Sequence, residues 1–110
     1  MIHNRFENQW PWGRSVTLID EDGCAMVEVT KEDGNNYAYI SGLKVHPSVQ
    51  GNGRATELLH CAELQALGLG VNIVLLQVVP NTWVHDWYIR KGYSDFGKCD
   101  NGFVELVKVL

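Results

Sequence analysis

Val45-His46-Pro47-Ser48-Val49-Gln50-Gly51-Asn52-Gly53-Arg54-Ala55 decides the fold of this chain, because it joins an alternating apolar run to a helical pattern through a glycine-rich loop. Gly51 and Gly53 remove Cβ atoms and let a ligand approach the backbone. From Asn52 onward the amides are the unpaired donors of a helix N-terminus, with the positive end of the helix dipole behind them, so the loop suits a phosphate. Arg54 can add charge-assisted bonds to the same anion.

Immediately before the loop, residues 37–45 read as a β-strand broken by Gly42, and a glycine there marks a bulge or the close approach of a ligand. After it, Ala55, Leu58, Leu59, Ala62 and Ala66 recur at helical spacing over residues 52–67, and Gly68 supplies a stop. Residues 71–79 are a dense apolar, β-branched run. A strand, helix, strand order with a crossover of this length predicts that this run lies parallel to the strand before the loop.

Further out, residues 16–19 and 24–30 are β-prone and separated by Asp20-Glu21-Asp22-Gly23, whose Asp-Gly ending is a hairpin signal. A turn at Glu32-Asp33-Gly34-Asn35-Asn36 leads to residues 37–45, which predicts a three-strand antiparallel meander. Residues 1–14 show no period, are punctuated by Pro11 and Gly13, and read as an irregular arm ahead of one domain over 15–110. Downstream, Pro80-Asn81-Thr82 starts a helix over 82–91 with Asn81 or Thr82 as cap. Gly92 ends it, and 93–96 with 102–109 form a closing strand pair.

A chain of 110 residues, 45% hydrophobic, has room for one modest core. The net charge of −4, with acids crowded at Asp20, Glu21, Asp22, Glu28, Glu32 and Asp33, argues against a nucleic-acid partner and favours a cationic one. Cys24, Cys61 and Cys99 are odd in number and widely spaced, which suggests neither a disulfide framework nor a metal site. With no basic segment followed by an apolar run, and no stretch near ~18 apolar residues, the expectation is a cytoplasmic protein without a membrane partner.

The loop Gln50-Gly51-Asn52-Gly53-Arg54-Ala55 resembles the Gln/Arg-x-x-Gly-x-Gly/Ala signature of the GNAT superfamily of acetyl-CoA-dependent N-acetyltransferases. The segment 81–93 resembles a second signature of that family, Asn-x-x-Ala-x-x-x-Tyr-x-x-x-Gly-Phe, with Asn81, Tyr88, Gly92 and Tyr93 in register and Val84 in place of the alanine. P-loop and dinucleotide fingerprints fit less well, since there is no Gly-Lys-Ser/Thr and no third glycine at Ala55 or Thr56. The resemblance implies an α/β (α+β) minimal GNAT fold: a mixed, mostly antiparallel sheet with one splayed parallel strand pair and two main helices. It implies acetyl-CoA as cosubstrate, with Gln50, Gly51, Asn52, Gly53, Arg54 and Ala55 on its pyrophosphate. Leu43, Lys44 and Val45 would then lie along the pantetheine, and Asn81 on the cofactor arm.

The chemistry such a site needs can be stated independently. An amine attacking a thioester must be neutral, the carbonyl must be polarised, and the leaving thiolate needs a proton. Tyr88 is the candidate donor, because a phenol stays protonated at neutral pH. For the base, the strand position that carries glutamate in some relatives is Gln77 here, which cannot accept a proton. Glu28, His46 or solvent remain as alternatives. His85 and Asp86 read as outer-face helix residues.

Residues 1–14 are too few for the strand and two helices that usually wall the acceptor site in this family. An open acceptor side, or one completed by another subunit, follows, as does an aromatic patch of Trp10, Trp12, Trp83 and Trp87. The acceptor expected is a small-molecule or peptide amine, and an open sheet edge puts a homodimer among the expectations. Two rivals stand beside catalysis: a silent acyl-CoA-binding module, and an interaction subunit.

Overall fold

The computed structural model describes residues 3–110. Seven strands form one sheet in the order β1 (His3–Trp10), β2 (Gly13–Asp20), β3 (Ala25–Glu32), β4 (Ala38–Val45), β5 (Ile73–Val78), β7 (Val104–Val109) and β6 (Ser94–Lys98). Helix α1 (Arg54–Gly68) connects β4 to β5, and α2 (Trp83–Arg90) connects β5 to β6. Every strand pairing is antiparallel except β4 with β5. This is the mixed sheet with one parallel pair and two helices that the motif order implied.

The expected irregular arm is instead β1, whose eight residues pair with β2 in unbroken register from His3↔Asp20 to Trp10↔Gly13. The meander therefore has four strands. The reason it escaped the pattern is physical: β1 is an edge strand, its side chains from Asn4 to Gln9 are exposed, and a strand held mainly by backbone pairing needs no hydrophobic alternation. Of the family's usual front end the strand is present, and β1 passes to β2 through Pro11-Trp12 without intervening helices.

The core lies between one face of the sheet and α1. Val16 and Leu18 of β2 stand beside Val29 and Val27 of β3, and Leu58, Ala62 and Ala66 of α1 cover them, all fully buried. Tyr88 of α2 and Tyr93 join the same cluster. The opposite face of the sheet carries Thr17, Glu28, Thr30, Tyr39, Ser41, Gln77 and Glu105 by strand alternation. No helix among the described residues covers it.

Two features open the sheet at its centre. The β3–β4 register slips between Met26↔Lys44 and Glu28↔Ser41, so β4 holds one extra residue at Gly42-Leu43, and Gly42 sits at φ 64°. A positive φ is what glycine allows and other residues resist, which accounts for Gly42 at a bulge. Correspondingly, β4 and β5 pair only at Ala38↔Val74 and Tyr39↔Leu75, and beyond Tyr39 the two strands part.

Candidate active site

A groove with a volume of about 740 Å³ runs from the parted end of β4 to the first turn of α1 and the side of α2. Leu43, Lys44, Val45, Gln50, Gly51, Asn52, Gly53, Arg54 and Ala55 line it, as do Trp83, Val84, Trp87 and Tyr88 of α2. The two sequence segments, some thirty residues apart, thus form one wall each of a single cavity. Asn81 and Glu28 do not line it.

The loop is shaped by its own polar atoms. A short 3₁₀ turn at Pro47–Val49 is capped by His46, whose Nδ1 accepts from the Ser48 N–H at 3.1 Å. His46 is spent on this cap and stays out of the groove. Gln50 donates from Nε2 to the Val45 carbonyl at 2.9 Å, tying the loop back to the end of β4. Gly51 and Gly53 have φ values of 85° and 84°, and a Cβ at either would meet no atom within 4 Å, so backbone conformation and not crowding selects glycine. Gly53 is the N-cap of α1 and offers no side-chain acceptor, which leaves the Ala55 and Thr56 amides of the first turn without a side-chain cap.

Arg54 behaves differently from the expectation that it serves the anion. Its Nη1 donates to Asp20 Oδ2 and to Asp22 Oδ2, each at 2.6 Å. Asp20 is only 3% exposed. The guanidinium therefore pins the start of α1 to the β2–β3 turn, and its hydrogen bond holds the Asp22 carboxyl below the usual carboxylate range. The Arg54 backbone N–H is itself engaged, donating to Asn52 Oδ1 at 3.4 Å.

Tyr88 is 8% exposed and wedged in a row of rings, 4.9 Å from Trp87 and 5.5 Å from Tyr93, both edge-on. Burial pushes its phenol up to about 12. No hydrogen-bond partner among the described residues engages the hydroxyl, so its proton is available to whatever enters the groove. Tyr93 is fixed in turn, donating to Glu63 Oε2 at 2.9 Å, and Lys108 binds the same carboxylate at 3.0 Å.

Thr82, not Asn81, caps α2: its Oγ1 accepts from the His85 N–H at 3.3 Å. Asn81 is exposed with φ 61°, and its N–H donates to His85 Nδ1 at 3.3 Å. His85 is half-buried and bound through Nε2 to Asp95 at 2.7 Å, so it does not lie on the outer face of the helix, whereas Asp86 does. The four tryptophans also separate. Trp83 and Trp87 line the groove, while Trp10 and Trp12 flank the β1–β2 turn at the far end of β2 from Asp20.

On the uncovered face, Glu28 stands directly across from Ser41 beside the bulge, accepting from Thr30 Oγ1 at 3.4 Å and Thr17 Oγ1 at 3.5 Å. Tyr39 donates to Glu105 Oε2 at 3.1 Å where β4 and β5 part. Neither carboxylate has an ion-pair partner among the described residues. Tyr39 and Glu105 were not legible as site residues, because only the strand register brings positions so far apart in sequence together. Nearby, Thr30, Glu32, Asn35, Tyr37, Tyr39 and Ser41 enclose a second hollow of about 380 Å³.

The family model of the acetyltransferase (GNAT) family matches residues 3–93. Among solved structures, the GNAT domain of S. lividans PAT superposes with a TM-score of 0.75 at 22% identity, covering 87% of this chain and 61% of that one. The PaiA N-acetyltransferase from Thermoplasma acidophilum, solved with coenzyme A, gives 0.70 at 17% identity, covering 87% and 60%. N-acetylglutamate synthase from Neisseria gonorrhoeae, solved with coenzyme A and N-acetyl-glutamate, gives 0.73 at 17%, covering 87% and 25%. At these identities the likeness is one of fold, and the chain spans less than two thirds of each of the three. No curated protein matches the sequence.

Proposed function

The chain belongs to the GNAT acetyltransferase family, and from that premise we propose that it transfers an acetyl group from acetyl-CoA to a primary amine by direct attack in a ternary complex. The observation that carries this reading is the parting of β4 from β5 after two paired residues. It leaves a groove on the helix side and an uncovered face on the other, so two substrates can meet through the sheet without one displacing the other.

The donor groups fit an acyl-CoA. Uncapped amides at a glycine-bearing helix start suit a diphosphate, and the apolar wall of Leu43, Val45, Val84 and Trp87 suits an uncharged chain. When bound, acetyl-CoA supplies an acetyl group activated as a thioester. Backbone N–H groups at the β4 bulge, near Leu43 and Val45, would polarise the carbonyl oxygen. Tyr88 holds the proton that the departing sulfur takes as the C–S bond breaks and the C–N bond forms. Asn81, outside the groove lining in this structure, would act on the cofactor arm.

The amine would approach from the uncovered face, where Glu28 and Glu105 attract a cation and Glu28 can accept the proton an ammonium must lose before attack. This favours cationic acceptors, small amines or lysine-bearing peptides, over anionic ones. A cytoplasmic setting suits the three free cysteines. No helix among the described residues is long and apolar enough to cross a membrane.

Calorimetric titration with acetyl-CoA, followed by thiol release in the presence of a panel of amines, tests the reading. Binding with amine-dependent release is expected. Binding without release would assign a silent acyl-CoA module instead, and absence of binding would leave an interaction role.

A further inference from the structure

We propose that two copies of this chain join through β1 into one continuous fourteen-stranded sheet (~2 × 7 strands), with a two-fold axis passing through Phe6. The inference is independent of catalysis and rests on the outer edge of the sheet.

β1 ends the strand order and is paired on one side only. Over His3–Trp10 it has no proline and its register with β2 contains no bulge, and its charges, Arg5 and Glu7, are opposite in sign, so a strand of matching pattern meets no net repulsion there. Its central side chain, Phe6, is 54% exposed. Such an edge is a template for another strand, and the side chains determine which strand fits.

An antiparallel pair about a two-fold axis sets each residue of one copy against a symmetry-related residue of the other. With the axis at Phe6, Phe6 faces its own copy, Arg5 faces Glu7, Asn4 faces Asn8 and His3 faces Gln9. Each opposite-charge pair occurs twice. Centring the axis on Arg5 or on Glu7 would instead stack like charges, and centring it on Asn8 or Asn4 separates Arg5 from Glu7. The sequence is thus self-complementary in one register. Within a single copy Arg5 and Glu7 already lie at 3.1 Å on the same face, exposed by 45% and 40%, and Arg5 is steadied by Gln65 of α1 at 3.0 Å.

The backbone agrees with this register. Trp10↔Gly13 closes a two-residue hairpin, which makes it a pair that exchanges both hydrogen bonds, and such pairs alternate along a ladder. Trp10, Asn8, Phe6 and Asn4 then bond inward to β2, and His3, Arg5, Glu7 and Gln9 turn their amides and carbonyls outward. Arg5 and Glu7 would occupy the hydrogen-bonded positions of the new ladder. Phe6 would meet Phe6 at a close non-hydrogen-bonded position, with Cα atoms ~4.5 Å apart. A second copy suits the edge better than its own uncovered face, where Glu28 and Glu105, without ion-pair partners among the described residues, would repel themselves.

Sedimentation of the whole chain across a concentration series, together with Phe6→Cys under mild oxidation, tests the proposal. A dimer is expected, and Phe6→Cys should cross-link across the axis, since ~4.5 Å lies within the Cα spacing of a disulfide. Asn8→Cys, facing Asn4, should not, and the parent chain with Cys24, Cys61 and Cys99 is the control. Arg5→Glu or Glu7→Arg alone should weaken the dimer about tenfold, and the double exchange should restore it. A monomer at every concentration overturns the proposal, as does a dimer in which Phe6→Cys fails to cross-link or the double exchange fails to recover. Circular dichroism of each variant separates loss of pairing from loss of folding.

Discussion

Arg54 and Asp20 lie 2.6 Å apart, joining the first turn of α1 to the last residue of β2. The carboxylate is almost fully buried and Asp22 completes the clamp from the surface, so this pair fixes where the helix starts relative to the sheet. Arg54→Ala should therefore lower stability by about 3 kcal/mol, because it strands a buried carboxylate without its cation. The denaturant midpoint measures this. Acetyl-CoA affinity should fall much less, and a large loss of affinity in a variant of unchanged stability would return the side chain to the anion. Because Asp22 is depressed in the folded state, its share of the clamp is present above its ordinary value of 3.8 and fades as the pH falls below it.

Removing the Tyr88 hydroxyl tests its place as proton donor. Tyr88→Phe keeps the ring row with Trp87 and Tyr93 and deletes no hydrogen bond between described residues. Turnover should drop by ~10²-fold or more, with binding of acetyl-CoA nearly unchanged. Equal turnover in the two proteins would remove the hydroxyl from the chemistry.

Glu28→Gln keeps the size of the side chain and one acceptor oxygen for the Thr17 and Thr30 hydroxyls while abolishing its basicity. The expected loss in kcat/KM is ~10²-fold near neutral pH, shrinking at high pH where the amine is already neutral. A loss independent of pH would point to a positioning role. Glu105→Gln provides the comparison, since that carboxylate is engaged by Tyr39.

Gly53→Ala introduces no collision, as no atom lies within 4 Å of the added carbon, yet it forces φ 84° on an L residue. A cost of about 1–2 kcal/mol in stability follows from conformation alone. Weaker acetyl-CoA binding should accompany it, because the first-turn amides depend on that angle. Gly53→Asn should recover part of the stability, as asparagine tolerates the left-handed region.

Alkaline pH should unfold the chain earlier than its acids would suggest. Burial raises Tyr88 to about 12, and Tyr93 and Tyr39 move in the same direction, each beside a carboxylate. A phenol whose folded value exceeds its unfolded value of ~10 stabilises the fold below that pH and loses the contribution as pH rises toward the folded value. For Tyr88 the window runs from ~10 to about 12, with a slope of at most ~1.4 kcal/mol per pH unit. Guanidinium melts at pH 8 and above 10 should show it, and Tyr93→Phe should flatten the slope.

Much of this architecture was readable from local chemistry. The glycine loop, the helix behind it and the strand beyond it follow from spacing, because a left-handed backbone demands glycine and an amphipathic helix demands its period. The parallel pairing of β4 and β5 follows from handedness and connection length. The convergence of the loop with Tyr88 on one groove was implied by motif order and borne by the packing of α1 and α2 on the same face of the sheet.

Where each side chain went was a tertiary matter. Arg54 carries the same charge whether it meets a phosphate or a buried aspartate, and only the approach of the β2–β3 turn to α1 decides between them. Residues 3–10 have no pattern to betray a strand, since an edge pairs through its backbone and buries almost nothing. Tyr39 meets Glu105 across sixty-six positions of sequence because β7 inserts between β5 and β6. Sequence by itself determined the elements and the glycine-marked turns, which depend on neighbours a few residues away. The register of the strands, the choice of partners for each charge and the uncovered face were decided only by tertiary structure, because they depend on which distant backbones the core brings side by side.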